Sequence, residues 1–243
     1  MSDPGVEIAG KAIEEAAELA REFLGKVANP ALEESGGLMQ DKVKFWRFKN
    51  QVNILLKAKA FLEKKGLDPK AILPKTLAPL LEAGSLETDP GLQDMWANLL
   101  ASYAEGELAI QSYPSLLKEL SPMEARILTD LNTARVKAGL SGRDLLTHGS
   151  PKMEICKALG ISDDQYDVMI DNLIRLNLVQ PVGASGALVG DQPLAIKTNE
   201  IVHITALGRG LIEAATAFDD STKGATTYVL EKGPEQDNVA KWG

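Results

Sequence analysis

From Val6 to Val27 an apolar residue returns every third or fourth position, at Ala9, Ile13, Ala16, Ala20, Phe23 and Val27, with Glu7, Glu14, Glu15, Glu18 and Glu22 among them. That spacing fits the period of about 3.6 residues of a helix and not the two-residue alternation of a strand, so Val6 to Val27 is committed to an amphipathic helix with one face to bury. Asn29-Pro30 and Gly36-Gly37 interrupt it. A second stripe, Phe45, Phe48, Val52, Leu55, Leu56 and Leu62, predicts another long helix from about Leu38 to Lys65, ended by Gly66. Met1 to Gly37 carries eight acidic and three basic residues, and Asp41 to Lys65 carries eight basic and two acidic. The two helices are therefore expected to pair as an oppositely charged antiparallel hairpin.

Three prolines among the leucines of Leu67 to Leu81 predict short, kinked helical turns. Asp89-Pro90 reads as an N-cap with proline at the first helical position, opening a helix through Leu92, Met95, Trp96, Leu99 and Leu100 in which Trp96 is core. A loop from Gly106 to Pro114 follows. Ser121-Pro122-Met123-Glu124 is a capping box and marks a domain boundary, with Ile127, Leu128 and Leu131 on one face of the helix it opens. Ser141 and Ser150 are read as N-caps of two short helices, and Ser162 with Gln165 as a second capping box before Tyr166, Met169, Ile170, Leu173, Ile174 and Leu176. The pattern then turns to β: Leu178 to Val182 and Ile201 to Thr205 are strand-prone, separated by a stretch rich in glycine and small residues, before helix returns from Ala206 to Phe218. The fold class is mainly α. A helical domain with long antiparallel helices spans 6–120 and a winged-helix-like α+β domain spans 121–218, while 219–243 lacks apolar periodicity and is expected to be a loosely ordered tail.

The chemistry available is narrow. Cys156 is the one cysteine, in the apolar run Ile155 to Leu159, and is read as a buried structural thiol; His148 and His203 are the two histidines. No metal site, cofactor site or catalytic residue is predicted. Asp144, His148 and Ser150 supply the residue types of a hydrolase triad but are crowded into one turn with no nucleophile elbow. His203 alternates along a strand and reads as structural. Glu87, Asp89 and Asp94 are explained by helix capping and solvation, and Gly183, Gly186 and Gly190 lack the lysine and following helix of a phosphate loop. No apolar stretch is long enough to span a membrane, and the N-terminus lacks the zones of a signal peptide, so the chain is expected in the cytoplasm. The net charge of −8 argues against general affinity for nucleic acid or anionic lipid.

Two surfaces remain as candidates for a partner. Trp46, Arg47, Lys49, Asn50 and Gln51 fall within two helical turns, although packing of Trp46 beside the apolar stripe and pairing of Arg47 with acids of the first helix account for them more simply. The basic side of that helix, with Lys42, Lys49, Lys57, Lys64 and Lys65, is read as a solvated face. In the third helix of the winged-helix-like domain, Asp163, Asp164, Asp167 and Asp171 stand against a single Arg175, and Ser121 to Phe218 carries eleven acidic and nine basic residues. Such a helix is not expected to read DNA, because carboxylates face a polyanion. The candidate partner surface is thus Arg47, Lys49 and Asn50, together with Asp163, Asp164, Asp167 and Asp171.

Lys42 to Gln51 resembles the signature segment of the abortive-infection alpha family, a bacterial family associated with phage defence. Pro79 to Ala83, Ser85-Leu86-Glu87, Met95 to Ala101 and Leu120 to Ala125 resemble further motifs of that family, in its order, and the similarity runs from about Ala12 to Thr216. The resemblance implies a role in phage-defence loci and brings no catalytic residues with it. The expectation is a non-enzymatic interaction protein that engages a protein partner or a second copy of itself; the alternative is a DNA-binding winged-helix regulator of a defence locus.

Overall fold

The computed structural model describes residues 4–27, 42–106, 110–140, 148–182, 188–189, 192–193, 199–216 and 231–232. The chain is mainly helical, and it divides into two compact units: Met1–Glu119 with Glu213–Asp219, and Leu120–Ile212 with Asp220–Gly243. The interruptions at residues 29–30 and 36–37, the start of a helix at Leu38, the short helix after Ser141, the glycines at 183, 186 and 190, and the tail apart from 231–232 lie outside the described residues.

In the first unit the two apolar stripes become α1 (Pro4–Val27) and α2 (Lys42–Lys65), which pack on each other. Ala20, Phe23 and Val27 of α1 are buried as expected. On α2 the buried face is Ile54, Leu55, Ala58 and Leu62, whereas Phe48, Val52 and Leu56 are half-buried, a rotation of the expected stripe. Its cause is α4 (Pro90–Glu105), against which α2 packs most extensively. Every residue from Met95 to Ala104 is buried, so α4 is the central helix of the unit, apolar nearly all round. Asp89 caps it by accepting a hydrogen bond from the Leu92 amide at 2.9 Å, and Gly106, at φ 95°, ends it.

Between α2 and α4 runs α3 (Pro74–Gly84), one continuous helix where kinked turns were expected. Pro74 occupies its first turn, where no amide donor is needed, and Pro79 is exposed, so burial of Leu77 and Leu80 against the core holds the helix together. Gly84 sits where the helices converge: a Cβ there would stand 2.9 Å from Ile54 Cδ1 and 3.3 Å from the Trp96 ring. The connection before α3 is tied down by the Lys70 amide donating to Ala104 O and the Ile72 amide donating to Val27 O. A short helix, α5 (Tyr113–Lys118), packs on α3.

The second unit opens with α6 (Pro122–Lys137), whose capping box forms as the sequence predicts: Ser121 Oγ accepts from the Glu124 amide, and the Glu124 carboxylate accepts from the Ser121 amide at 2.7 Å. There follow β1 (His148–Pro151), α7 (Lys152–Leu159), α8 (Asp163–Arg175) with the second capping box at Ser162 and Gln165, and β2 (Val179–Pro181). A separate two-residue ribbon, β3 (Leu188–Val189) and β4 (Gln192–Pro193), precedes β5 (Ile201–Ile204), α9 (Ala206–Thr216) and β6 (Glu231–Lys232). The sheet is antiparallel in the order β2-β5-β1-β6, with Ser150 opposite Val202 and Gln180 opposite His203.

β1 corrects the sequence reading. Ser150 lies inside this strand and caps nothing; the residue before α7 is Pro151, which makes no side-chain cap. The run His-Gly-Ser-Pro has no apolar alternation, and pairing with β5 is what makes it a strand. Gly149 permits the approach, since a Cβ there would lie 2.4 Å from Val202 O. β6 is also a strand that the sequence does not foreshadow, with Lys232 opposite His148 and Glu231 opposite Gly149.

Candidate interaction surface

Of the residues expected to converge on α2, Arg47, Asn50 and Gln51 do so, on α3 and the turn that follows it. Arg47 Nε donates to Ser85 Oγ at 3.0 Å, and Ser85 Oγ in turn donates to Glu82 O. Asn50 Nδ2 donates to Ser85 O at 3.0 Å and to Glu87 O at 2.9 Å, and Gln93 Nε2 shares Glu87 O at 3.0 Å. Glu87 Oε1 accepts from the amides of Thr88 and Asp89. The result is a polar clasp between α2 and the turn that joins α3 to α4, reinforced by Asn53 on Gln93 and Lys57 on Asp94.

Two expectations are corrected here. The described partner of Arg47 is Ser85, not an acid of α1, whose described ion pairs are internal, Glu18 with Arg21 and Glu22 with Lys26. Asn50 is 8% exposed, so it belongs to the clasp rather than to an open surface, while Lys49 is exposed. Trp46 is half-buried. Motifs separate in the sequence, at 47–51 and 85–87, are thus one structural unit whose polar atoms satisfy backbone groups.

On α8 the inward face is Tyr166, Ile170 and Leu173, all fully buried, so the outward face is determined. Asp164, Val168, Asp171 and Arg175 are exposed along one stripe at helical spacing. Val168 is 71% exposed, and it stands between two carboxylates. The sequence reading missed it because it falls outside the buried period. Asp163 is exposed as well. Asp167 is partly neutralised by Lys152, whose Nζ lies 2.9 Å from it and 3.5 Å from Asp163. That hydrogen bond to Asp167 is the main reason the Lys152 pKa is raised, and the ammonium also sits 5.3 Å from the centre of the Tyr166 ring. Asp171 accepts from Asn199 Nδ2, and Arg175 donates to Asn172 Oδ1. Lys152 was not singled out in the sequence; a cation in the first turn of α7, against the helix dipole, was the available signal.

The other candidates are placed as follows. His148 and Ser150 line one small cavity with Arg135 and His203, and Asp144 lies outside the described residues. Ser150 Oγ is fully buried and makes no hydrogen bond among the described residues. His203 is 6% exposed, with Nδ1 3.2 Å from Ile204 O, and burial lowers its pKa. Cys156 is half-buried rather than buried, and desolvation raises its pKa, which disfavours the thiolate. Among the described residues no group of three metal-binding side chains occurs, and no helix is long and apolar enough to cross a membrane.

Residues 49–215 match the sequence profile of the family described as abortive infection alpha. The match takes in the 79–87, 95–101 and 120–125 motifs, the clasp from Lys49 onward and all of α8. No curated protein and no solved structure matches the chain. On the extent of the profile match, the chain belongs to the abortive infection alpha family.

Proposed function

We propose that this chain serves abortive infection as a non-enzymatic interaction protein, and that its second unit is a winged helix whose third helix, α8, docks a protein instead of DNA. The order α6, β1, α7, α8, β2, β5 with the sheet order β2-β5-β1 supports the winged-helix reading. The observation that carries the docking reading is the outward stripe of α8, where Asp164 and Asp171 flank the exposed Val168. In a DNA reader this stripe faces phosphates and needs donors. Here it offers carboxylates, and Arg175, the cation at its far end, is engaged by Asn172. An apolar centre rimmed by acids suits a protein surface with basic residues around an apolar contact.

The test has two arms. Fluorescence anisotropy with random duplex DNA at about 50 mM salt, where phosphate binding is exaggerated, should show no saturable binding by the full chain. Phage plaquing on cells carrying the native locus should lose protection when Asp164→Lys and Asp171→Lys are combined, with the circular dichroism spectrum unchanged. Micromolar DNA binding by the wild-type chain that disappears in Arg175→Glu would replace docking with the regulator reading.

A further inference from the structure

The outward stripe of α8 has an order as well as a composition. Asp164, Val168, Asp171 and Arg175, all exposed, follow one another at steps of four, three and four residues. That is the spacing by which one helix lays a narrow seam along another at a shallow crossing angle. Tyr166, Ile170 and Leu173 hold the opposite side of α8 fully buried, so the seam is turned away from the core of its own unit. Along the chain the seam reads acid, apolar, acid, base; reversed, it reads base, acid, apolar, acid. Two such seams laid antiparallel therefore meet acid against base at both ends. The helix dipole accounts for acids in the first turn and a base in the last, but not for Val168, which is 71% exposed between them.

We propose that the occupant of this seam is a second copy of the chain, with α8 lying antiparallel on α8 of the other copy about a two-fold axis. The inference rests on α8 being a protein-docking helix and names what it docks. Asp164 of each copy then faces Arg175 of the other, and the two Val168 side chains meet beside the axis, each next to Asp171 of the opposite copy. Every contact occurs twice, so the assembly closes as a dimer. Asp163 and Asp167 lie off the seam and are drawn to Lys152, at 3.5 and 2.9 Å, which limits repulsion between the acidic helices. Asp171 accepts from Asn199 Nδ2 of its own chain. A seam about 16 Å long buries less than the roughly 1,200 Å² of a standard stable interface, so the dimer is weak and depends on concentration and salt. It also occupies the face that a DNA-reading winged helix sets into the groove, so pairing and DNA reading exclude each other.

The experiment is sedimentation equilibrium of the full chain. The wild type should approach twice the monomer mass as concentration rises and return toward the monomer as salt is added. Asp164→Arg sets Arg against Arg at both ends of the seam, and Arg175→Glu sets Asp against Glu, so each variant alone should stay at the monomer mass. Mixed in equal amounts they should recover the dimer, because one end then joins Arg to Glu and the other Asp to Arg. That recovery cannot come from misfolded chains. Val168→Asp, at an exposed position away from the helix ends, should keep the wild-type circular dichroism spectrum and remain monomeric. A wild type that is monomeric at its highest soluble concentration overturns the proposal, as does a mixture that stays monomeric or a Val168→Asp variant that dimerises like the wild type. If self-pairing fails in this way while Asp164→Lys with Asp171→Lys still abolishes protection against phage, α8 docks a different protein; DNA binding by the wild type that is lost in Arg175→Glu removes both readings.

Discussion

Asn50 offers the sharpest test of what the family-like segments do. Its amide donates to Ser85 O and Glu87 O, at 3.0 and 2.9 Å, from a position 8% exposed. Each bond contributes about 0.5–1.5 kcal/mol net. The two carbonyls differ in what they keep: Glu87 O retains Gln93 Nε2, whereas Ser85, fully buried, loses the donor on its carbonyl. Asn50→Ala is therefore expected to destabilise the first unit by about 2–3 kcal/mol. Asn50→Asp should cost more, about 3–5 kcal/mol, because an isosteric carboxylate without donors then faces two carbonyl oxygens in a desolvated site. Gln93→Ala alone should cost less than Asn50→Ala, and the double variant should exceed the sum of the singles by about 0.5–1 kcal/mol, since only then is Glu87 O stripped of both donors. The assay is urea unfolding followed by fluorescence of Trp46 and Trp96, both in the first unit, with Trp242 replaced by phenylalanine. An Asn50→Asp variant as stable as the wild type, or strict additivity with Gln93→Ala, would refute the clasp as a source of stability.

Other perturbations probe other parts of the structure. Phe23 is 2% exposed, so Phe23→Asp should lower stability by about 4 kcal/mol or more through lost burial and an unpaired charge, read as a fall in melting temperature of the first unit. Gly208→Ala places a Cβ 2.2 Å from Leu178 O, a backbone atom that cannot step aside, and should cost about 3 kcal/mol or prevent folding of the second unit, as checked by proteolysis of Leu120–Ile212. Burial lowers the folded-state pKa of His203, so below its ordinary value of about 6.5 the unfolded chain binds a proton that the native chain does not. Its contribution to stability is complete above that value and is lost as pH falls toward the lowered pKa; His203→Gln should flatten this part of the profile in chemical denaturation at successive pH values.

Much of this architecture was legible because it is local. Ser121 with Glu124 and Ser162 with Gln165 form their capping boxes as written, since the groups involved lie three residues apart and need no distant partner. Asp89 caps α4 for the same reason. The acidity of α8 was legible too, while Val168 was passed over because a helical period picks out the residues that repeat with the core.

The sequence by itself determined the two long amphipathic helices, the proline and capping signals that open α4, α6 and α8, and the switch to strands after Asn177, because helical and strand periods and cap hydrogen bonds are written within a few neighbouring residues. Tertiary structure alone decided that His148 to Pro151 is a strand, that Arg47 and Asn50 turn to the α3–α4 turn instead of to α1 or solvent, that the buried face of α2 rotates toward α4, and that residues 231–232 close the sheet. Each of these depends on a hydrogen bond or contact between residues some thirty to eighty positions apart, whose value comes from desolvation once both partners are packed, and no local pattern carries that information.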